Sequence, residues 1–324
     1  SKVFEEFISK FKLVYNSTVT DVDNYLGMEV TRNRELGTIT LSQRVYIEKM
    51  FNKYLVGNTT KAWQTPIDTS ADGIKRFLAM TPAVTEAESN EMIGKDYAGL
   101  LGSLLYASCM SRPDICYVTS YLAQFMQRPT LEAWHCALST AAYLNATSTY
   151  GVTYGGERDF GDLTQELKNA KCPTVWCDAS FGGDSLPYLG GFVEWRQGPV
   201  AWSAGKAKFV PGSSCHIELA ALVRMIKEGI FAYQALEDFS EPNTVCGPIS
   251  TFTDNKGTRD TILNPGVTKH TTHFERWLHY ARDLRLRNII DVMLITTDKM
   301  VADIFTKPLS KAIFLRMCAY LMTA

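Results

Sequence analysis

The order of apolar segments in the second half of the chain restricts its fold more than any other feature. Between residues 174 and 203, three short runs with β-strand character follow one another, separated by glycine-rich turns. After them come a helix, a strand at Ile249–Thr253, two helices, a strand at Ile289–Ile295 and a short helix at Val301–Thr306. Three strands followed by alternating helices and strands predict an α/β domain of about 150 residues.

The first half of the chain has a different pattern. Residues 26–41 alternate between apolar and less apolar side chains on both sides of a turn, which predicts a β-hairpin, and a helix follows it. Residues 57–89 lose this periodicity, so we expect a loop-rich linker there. Helices are predicted between residues 95 and 147. The polar passage from Gly155 to Pro173 is the best candidate for a domain boundary.

The composition is that of a globular chain without a dominant charge. The sequence has 324 residues, of which 46% are hydrophobic, and its 33 Lys+Arg against 34 Asp+Glu give a formal net charge of −1. This length suggests about two domains. The near-neutral charge argues against a binder of nucleic acid that works through a basic tail, but it leaves room for a local basic surface. The eight cysteines form no C-x-x-C pair, so reduced, buried thiols are expected rather than a zinc ribbon.

Targeting and membrane signals are not seen in the sequence. The longest uncharged run, between Asp96 and Arg112, is too short to span a bilayer. The N-terminal residues do not form the apolar region of a signal peptide. The first residue is Ser1 rather than Met, so we expect the chain to be a piece of a longer protein.

Four acidic residues occupy comparable positions in the predicted α/β domain. Asp178 lies inside the first strand, and Glu218 lies near the start of the helix after the three strands. Asp254 ends the fourth strand, and Asp303 opens the last helix. A carboxylate inside or at the tip of an apolar strand is costly unless a cation compensates it. The pattern therefore indicates a cluster that binds Mg²⁺ or Mn²⁺, which prefer oxygen ligands. The alternative for each acid alone is an ordinary helix cap or strand end.

The residues around each of these acids form short motifs. They are Trp176–Ser180, Ser213–Glu218, Thr253–Asn255 and Val301–Leu309, and Thr268–His270 lies between the third and the fourth. Together and in this order, the motifs resemble the ribonuclease H domain of copia-type LTR retrotransposon polyproteins, including its Thr-Lys-His element.

The first half of the chain resembles the same family. Asn24–Val30 is similar to the strand that follows the polymerase palm, and Leu41–Gln43, Thr65–Asp68 and Arg112–Ile115 are similar to the segments that come next. The family's polymerase centre is a Tyr-Val-Asp-Asp-type turn upstream of that strand, but this sequence contains no Asp-Asp pair. The resemblance therefore implies the end of the palm and the thumb and connection regions, without polymerase activity by this chain alone.

The resemblance implies a fold and a division into domains. Residues 161–324 are expected to form an α/β, ribonuclease H-like domain with a mixed five-stranded sheet and flanking helices. Residues 1–160 are expected to form a mainly helical thumb and connection region with a β-hairpin.

The resemblance also implies an activity, a metal-dependent endonuclease that hydrolyses the RNA strand of RNA–DNA hybrids during reverse transcription. The residues implied as catalytic and as ligands of two Mg²⁺ or Mn²⁺ ions are Asp178, Glu218, Asp254 and Asp303. The implied partners are the hybrid and the upstream polymerase part of the polyprotein, without a membrane. The implied compartment is a cytoplasmic retrotransposon particle or the nucleus.

Four further residues are candidate contacts to nucleic acid. Lys269, His270 and Arg276 lie in a basic stretch around the long helix predicted at Thr271–Arg287. This stretch is either a surface that contacts phosphates or a solvated helix face. Asn255 either hydrogen-bonds the backbone of the substrate or caps the helix that follows it.

The chain departs from the family pattern at two places. The family often has Glu-Ala-Glu around the second acid, whereas this chain has His216 in place of the first Glu, so the role of metal ligand falls on Glu218. Cellular ribonucleases H carry a His shortly before the last acid that helps to release product, but Thr296–Met300 contains none. We therefore expect slow turnover.

Two other interpretations stay open. A decayed or domesticated remnant would bind nucleic acid or protein without catalysis. Alternatively, the nuclease would act only inside a full polymerase that supplies affinity for the hybrid, because the net charge of this chain is near neutral. Metal-linked heat that vanishes in Asp178→Asn would distinguish the enzyme from the remnant.

Overall fold

A computed structural model of the chain describes residues 2–18, 22–55, 64–156, 172–180, 186–239, 247–264, 266 and 275–323. The predicted domain boundary between residues 160 and 161 lies outside these ranges and stays a prediction. Two of the candidate contacts to nucleic acid, Lys269 and His270, also lie outside them. No helix in the described ranges combines the length and the hydrophobicity that a membrane-spanning segment needs.

The first half of the chain contains a four-stranded antiparallel sheet. It follows helix α1 (Lys2–Val14) and consists, in spatial order, of β1 (Asn24–Tyr25), β2 (Met28–Asn33), β3 (Thr38–Ser42) and β4 (Gly151–Gly155). Strands β2 and β3 form the predicted hairpin, in which Val30 pairs with Leu41. Strand β4 was not predicted and ends at Gly155, where the predicted domain boundary begins; its Val152 pairs with Leu41 on the other side of β3.

Helices connect β3 to β4. They are α2 (Arg44–Tyr54), α3 (Ala71–Ala79), α4 (Glu86–Asn90), α5 (Tyr97–Met110), α6 (Cys116–Leu122) and α7 (Leu131–Ala146), with a 3-10 turn at Pro113–Ile115 before α6. The expectation of a loop-rich linker is wrong for residues 71–90, where α3 and α4 lie. Both helices begin at a cap, because Ser70 accepts a hydrogen bond from the Gly73 amide and Thr85 forms a capping box with Glu88.

The second half of the chain forms a mixed five-stranded sheet with flanking helices. Its strands are β5 (Thr174–Ala179), β6 (Tyr188–Trp195), β7 (Gly198–Lys206), β8 (Ile249–Thr253) and β9 (Ile290–Leu294), in the order β7-β6-β5-β8-β9. Strands β5, β6 and β7 are antiparallel, whereas β8 runs parallel to both β5 and β9. The helices are α8 (Ser214–Phe239), α9 (Lys256–Leu263), α10 (Glu275–Leu286) and α11 (Lys311–Leu321). The predicted α/β fold class, with its mixed sheet and helical first half, is confirmed.

Both faces of this sheet are buried, and alternate residues of β5 point to opposite faces. Val175 and Cys177 pack in one hydrophobic cluster with residues of α8 and α10. Trp176 packs in the other cluster, where its ring stacks on Phe192 and Phe252 at centroid distances of 5.6 and 4.5 Å. This second cluster also contains residues of α5, α6, α7 and α11. The helices of the first half and the sheet of the second half therefore share one core.

Replacement of glycine by alanine is expected to change the free energy of unfolding in opposite directions at two positions. A Cβ on Gly191, in β6, would clash with the backbone oxygen of Trp176 and lie 2.9 Å from Cγ of Met225. We expect Gly191→Ala to lower the free energy of unfolding by about 1–3 kcal/mol, because the packed neighbours must move. At Gly102, in α5, no atom of the described residues outside its own helix backbone lies within 4 Å of that position. Gly102→Ala should raise stability by roughly 1 kcal/mol, because Ala favours a helix. Urea unfolding of both variants tests this, and a shift of the same sign would contradict it.

Candidate metal centre

Three acidic side chains meet at one edge of the five-stranded sheet. Asp178 lies near the end of β5, Asp254 directly follows β8, and Glu218 lies in the first turns of α8. Strands β5 and β8 are parallel neighbours, so their carboxyl ends reach the same edge, and α8 packs across both strands. Each of the three residues offers a carboxylate oxygen, and these oxygens lie within 4.8 Å of one another. Asp178 and Glu218 are buried, and Asp254 is half-buried.

The fourth acid, Asp303, is connected to Asp178 through a lysine. Asp303 is buried in a 3-10 turn at Val301–Phe305 that packs against β5 and β6. Its Oδ1 lies 2.9 Å from Nζ of Lys307, and the same Nζ lies 3.7 Å from Oδ2 of Asp178. Lys307 therefore links Asp303 to the other acids. The motif at the end of the sequence contains this lysine, and its spacing of four residues from Asp303 is the signal that places the two side chains together.

Hydroxyl groups hold two of the carboxylates in place. Thr306 Oγ1 donates a hydrogen bond to Oδ2 of Asp178, and Thr297 Oγ1 donates one to Oδ2 of Asp254 at 2.9 Å. In contrast, Oε2 of Glu218 is buried and has no hydrogen-bond partner among the residues that the structure describes. A buried carboxylate oxygen without a partner is costly and points to a missing cation.

Burial and repulsion from neighbouring carboxylates raise the pKa values of Glu218 and Asp303. Burial raises the pKa of the Glu218 carboxyl well above its usual range, and the negative charges of Asp178 and Asp254 raise it further. Burial and the charge of Asp178 raise the pKa of Asp303 to about 7. Burial lowers the pKa of the Lys307 ammonium, but the carboxylates of Asp178 and Asp303 outweigh this effect and raise it overall. Four carboxyl groups therefore share a single ammonium, that of Lys307, among the described residues.

The residues present fit a divalent cation. The donors are carboxylate oxygens, which Mg²⁺ and Mn²⁺ prefer. Three carboxylate oxygens within 4.8 Å of one another are close enough to converge on a single ion. The unpartnered oxygen of Glu218 supplies an independent reason for a cation at this position.

Of the four candidate contacts to nucleic acid, the structure describes Asn255 and Arg276. Asn255 caps α9, because its Oδ1 accepts a hydrogen bond from the Thr258 amide at 2.9 Å. This hydrogen bond supports the capping alternative. Arg276 is exposed in the first turn of α10. Its role as a phosphate contact stays a prediction.

The His that replaces the family's first Glu takes part in packing. His216 is buried at the start of α8, where its ring lies 5.1 Å from the ring of Phe209 and 5.5 Å from that of Trp277. Its Nδ1 accepts a hydrogen bond from the Gly212 amide at 3.1 Å. The residue therefore fixes the chain just before Glu218.

The Thr306 hydroxyl, which donates a hydrogen bond to Asp178, is expected to affect the affinity for metal ions. Thr306→Val removes this hydroxyl but keeps the shape of the side chain. Because such hydrogen bonds orient metal ligands, we expect the affinity for Mn²⁺ to fall about 10–100-fold in calorimetric titration. Thr119→Val is the control, since its buried hydroxyl donates to the backbone oxygens of Ile115 and Cys116, within its own helical segment. Equal effects of the two substitutions would contradict this role of Thr306.

Comparisons with known proteins agree with the motifs. No family model matches the chain. The chain is 25% identical over 292 residues to the Retrovirus-related Pol polyprotein from transposon TNT 1-94 of Nicotiana tabacum, and 26% identical over 297 residues to that from transposon RE2 of Arabidopsis thaliana. These matches cover 87% and 91% of this chain. The chain is related to copia-type Pol polyproteins. The resemblance predicted from the motifs is thereby confirmed.

The relatives are much longer than this chain. It spans 20% of the Nicotiana polyprotein and 18% of the Arabidopsis one. Among solved structures, a crystal structure of LC11-RNase H1 in complex with RNA/DNA hybrid is 14% identical, with a TM-score of 0.31. That match covers 41% of this chain and 93% of the other.

Proposed function

We propose that the chain is a ribonuclease H that hydrolyses the RNA strand of RNA–DNA hybrids with the help of divalent cations. The observation that carries this proposal is the group of three carboxylates at the edge of the sheet, with a buried oxygen of Glu218 that lacks a partner. The relation to retrotransposon Pol polyproteins supports the choice of substrate, because reverse transcription produces such hybrids. We assign the nuclease to residues 161–324 and the end of the reverse transcriptase to residues 1–160.

The acids of the cluster would hold two Mg²⁺ or Mn²⁺ ions. Asp178, Glu218 and Asp254 would hold one ion, and Asp178 together with Asp303 would hold the other. When bound, such ions lower the pKa of the water that attacks the phosphodiester and stabilise the charge on the leaving 3′ oxygen. The carboxylates fix the position of the reacting groups, and burial of Asp178, Glu218 and Asp303 strengthens their electrostatic effect.

The side chains around the acids keep the site organised for this reaction. Thr306 orients Asp178, and Thr297 orients Asp254. Recognition of the hybrid would depend on the RNA 2′-hydroxyls and on the shape of the duplex rather than on base sequence. Arg276, exposed on α10, is the described residue that we assign to phosphate contact. The upstream polymerase part of the polyprotein, in a cytoplasmic particle, would supply further affinity.

Cleavage of a labelled RNA–DNA hybrid tests the proposal. The chain is incubated with the hybrid in Mg²⁺ and in Mn²⁺, beside RNA–RNA and DNA–DNA duplexes of the same sequence and a sample with EDTA. We expect cuts in the RNA strand of the hybrid, and none in the other duplexes or in EDTA. Binding of the hybrid without cleavage in either metal would favour the non-catalytic remnant. If the chain neither cuts nor binds, the same assay with the upstream polymerase part added decides whether affinity is what the chain lacks.

A further inference from the structure

The ammonium group of Lys307 occupies the space between two carboxylates of the site. Its Nζ lies 2.9 Å from Oδ1 of Asp303 and 3.7 Å from Oδ2 of Asp178. An ammonium is a compact point charge, so it can contact two carboxylates at once, as a bound metal ion does, while compensating only one unit of their charge. Asp178 is also grouped with Glu218 and Asp254, and the buried Oε2 of Glu218 lacks a hydrogen-bond partner among the described residues.

The acids thus divide into two sets that share Asp178. In the first set, Glu218 and Asp254 have no cationic side chain within ion-pair distance among the described residues, and Lys307 reaches only the shared Asp178, at 3.7 Å. The second set, with Asp303, already contains the charge of Lys307. A divalent ion entering the first set meets two carboxyl groups that Lys307 does not contact, whereas an ion entering the second set must displace the ammonium that lies 2.9 Å from Asp303. The two positions therefore differ strongly in their affinity for a cation.

We propose that Lys307 is a built-in cation that holds the second metal position, so that the two divalent ions bind in order and the second binds only when the ammonium moves away. This inference rests on the proposed function, because it assigns an order to the two ions of that site. Lys307 acts here as a positioning residue, through its contacts with Asp178 and Asp303.

The structure provides room for such a movement. The side chain of Lys307 is 37% exposed. It lines a cavity of about 730 Å³ between the helices of the first half and the nuclease sheet, together with Ser180, Tyr188, Lys206 and Pro308. The ammonium can therefore leave the carboxylates and enter solvent without unfolding of the turn that carries Asp303.

Calorimetric titration of the whole chain with Mn²⁺ tests the proposal. We expect two binding events in the unmodified chain, of which the second is weaker. Lys307→Met should strengthen the second event by about tenfold or more and bring it close to the first, because the competing charge is gone. Lys307→Arg keeps the charge and should keep the second event weak. Lys206→Met, in the same cavity but hydrogen-bonded to Gln124, should change neither event.

The outcomes separate this proposal from the proposed function. Asp303→Asn should remove the second event and keep the first. Equal affinities in the unmodified chain, or no change in the second event of Lys307→Met, would overturn the role of Lys307 and leave the metal centre intact. An unmodified chain that is folded by circular dichroism and binds no Mn²⁺ would overturn both. Strengthening by Lys307→Arg as large as by Lys307→Met would show that side-chain shape, not charge, controls the second event, and would also overturn the proposal.

Discussion

Asp254→Asn is expected to reduce hydrolysis of the RNA strand by about a thousandfold or more. Metal ions stabilise such a transition state by several kcal/mol, and each ~1.4 kcal/mol is a factor of ten in rate. Asp254 is the least buried of the three grouped acids, so its replacement should disturb the fold least. The Asn side chain can still accept the hydrogen bond that Thr297 donates to Asp254. The loss should therefore come from the missing negative charge.

The cleavage rate of the labelled hybrid, followed in Mg²⁺ with equal amounts of each protein, measures this effect. Asp298→Asn is the matched control, because Asp298 is an exposed acid on the neighbouring 3-10 turn and lies outside the group of three. We expect the control to stay within a fewfold of the unmodified chain. If Asp254→Asn cuts as fast as Asp298→Asn, the cluster is not the site of the reaction.

Asp114→Ala is expected to lower the free energy of unfolding by about 3–5 kcal/mol, because it leaves a buried charge without its partner. The Asp114 carboxylate forms a bidentate ion pair with Arg112, in which Nε donates to Oδ1 at 3.0 Å and Nη2 donates to Oδ2 at 2.7 Å. Both side chains are fully buried. Tyr143 donates a further hydrogen bond to Oδ2 at 2.6 Å, and the guanidinium also donates to Thr147.

Urea unfolding compares this variant with an exposed ion pair. Asp283→Ala removes the partner of Arg287 on the surface of α10, and its effect should stay below about 1 kcal/mol. Replacement of both Arg112 and Asp114 by Met and Leu should recover most of the loss, because no buried charge then remains. A double variant as unstable as Asp114→Ala would show that packing at this position, rather than the unpaired charge, determines stability.

The local pattern of apolar and turn residues predicted those helices and strands whose pattern lies within a single segment of the sequence. The hairpin of β2 and β3 and the five strands of the second sheet follow from alternation of apolar residues and from turns. Helix α1 could have been predicted from the helical spacing of Phe4, Phe7 and Phe11. Strand β4 could not, because Gly151–Gly155 is short and its partner β3 lies more than a hundred residues earlier. Pairing between such distant segments leaves no periodicity in the sequence.

The acidic residues of the candidate site could be predicted from the sequence, but the position of the lysine between them could not. The positions of Asp178 and Asp254 at the ends of apolar strands indicate one edge of a sheet. The place of Lys307 between Asp178 and Asp303 depends on how the last 3-10 turn packs against β5, which is a tertiary contact. The sequence cannot distinguish a helix cap from a substrate contact at Asn255, because the same side chain can do either. The hydrogen bond that Asn255 accepts from the Thr258 amide supports the helix cap.

The shared core determines where the chain can be truncated without loss of its fold. Trp176, Phe192 and Phe252, in the five-stranded sheet, belong to the hydrophobic cluster that also contains the helices of the first half. Trp202 of the same sheet also donates a hydrogen bond to the backbone oxygen of Ser108 in α5, at 2.7 Å. A cut at residue 160 that follows the activity assignment would uncover a wide apolar surface, and such surfaces drive aggregation. The smallest fragment that keeps the acids in a folded sheet therefore has to retain its upstream helices, although none of the acids lies there.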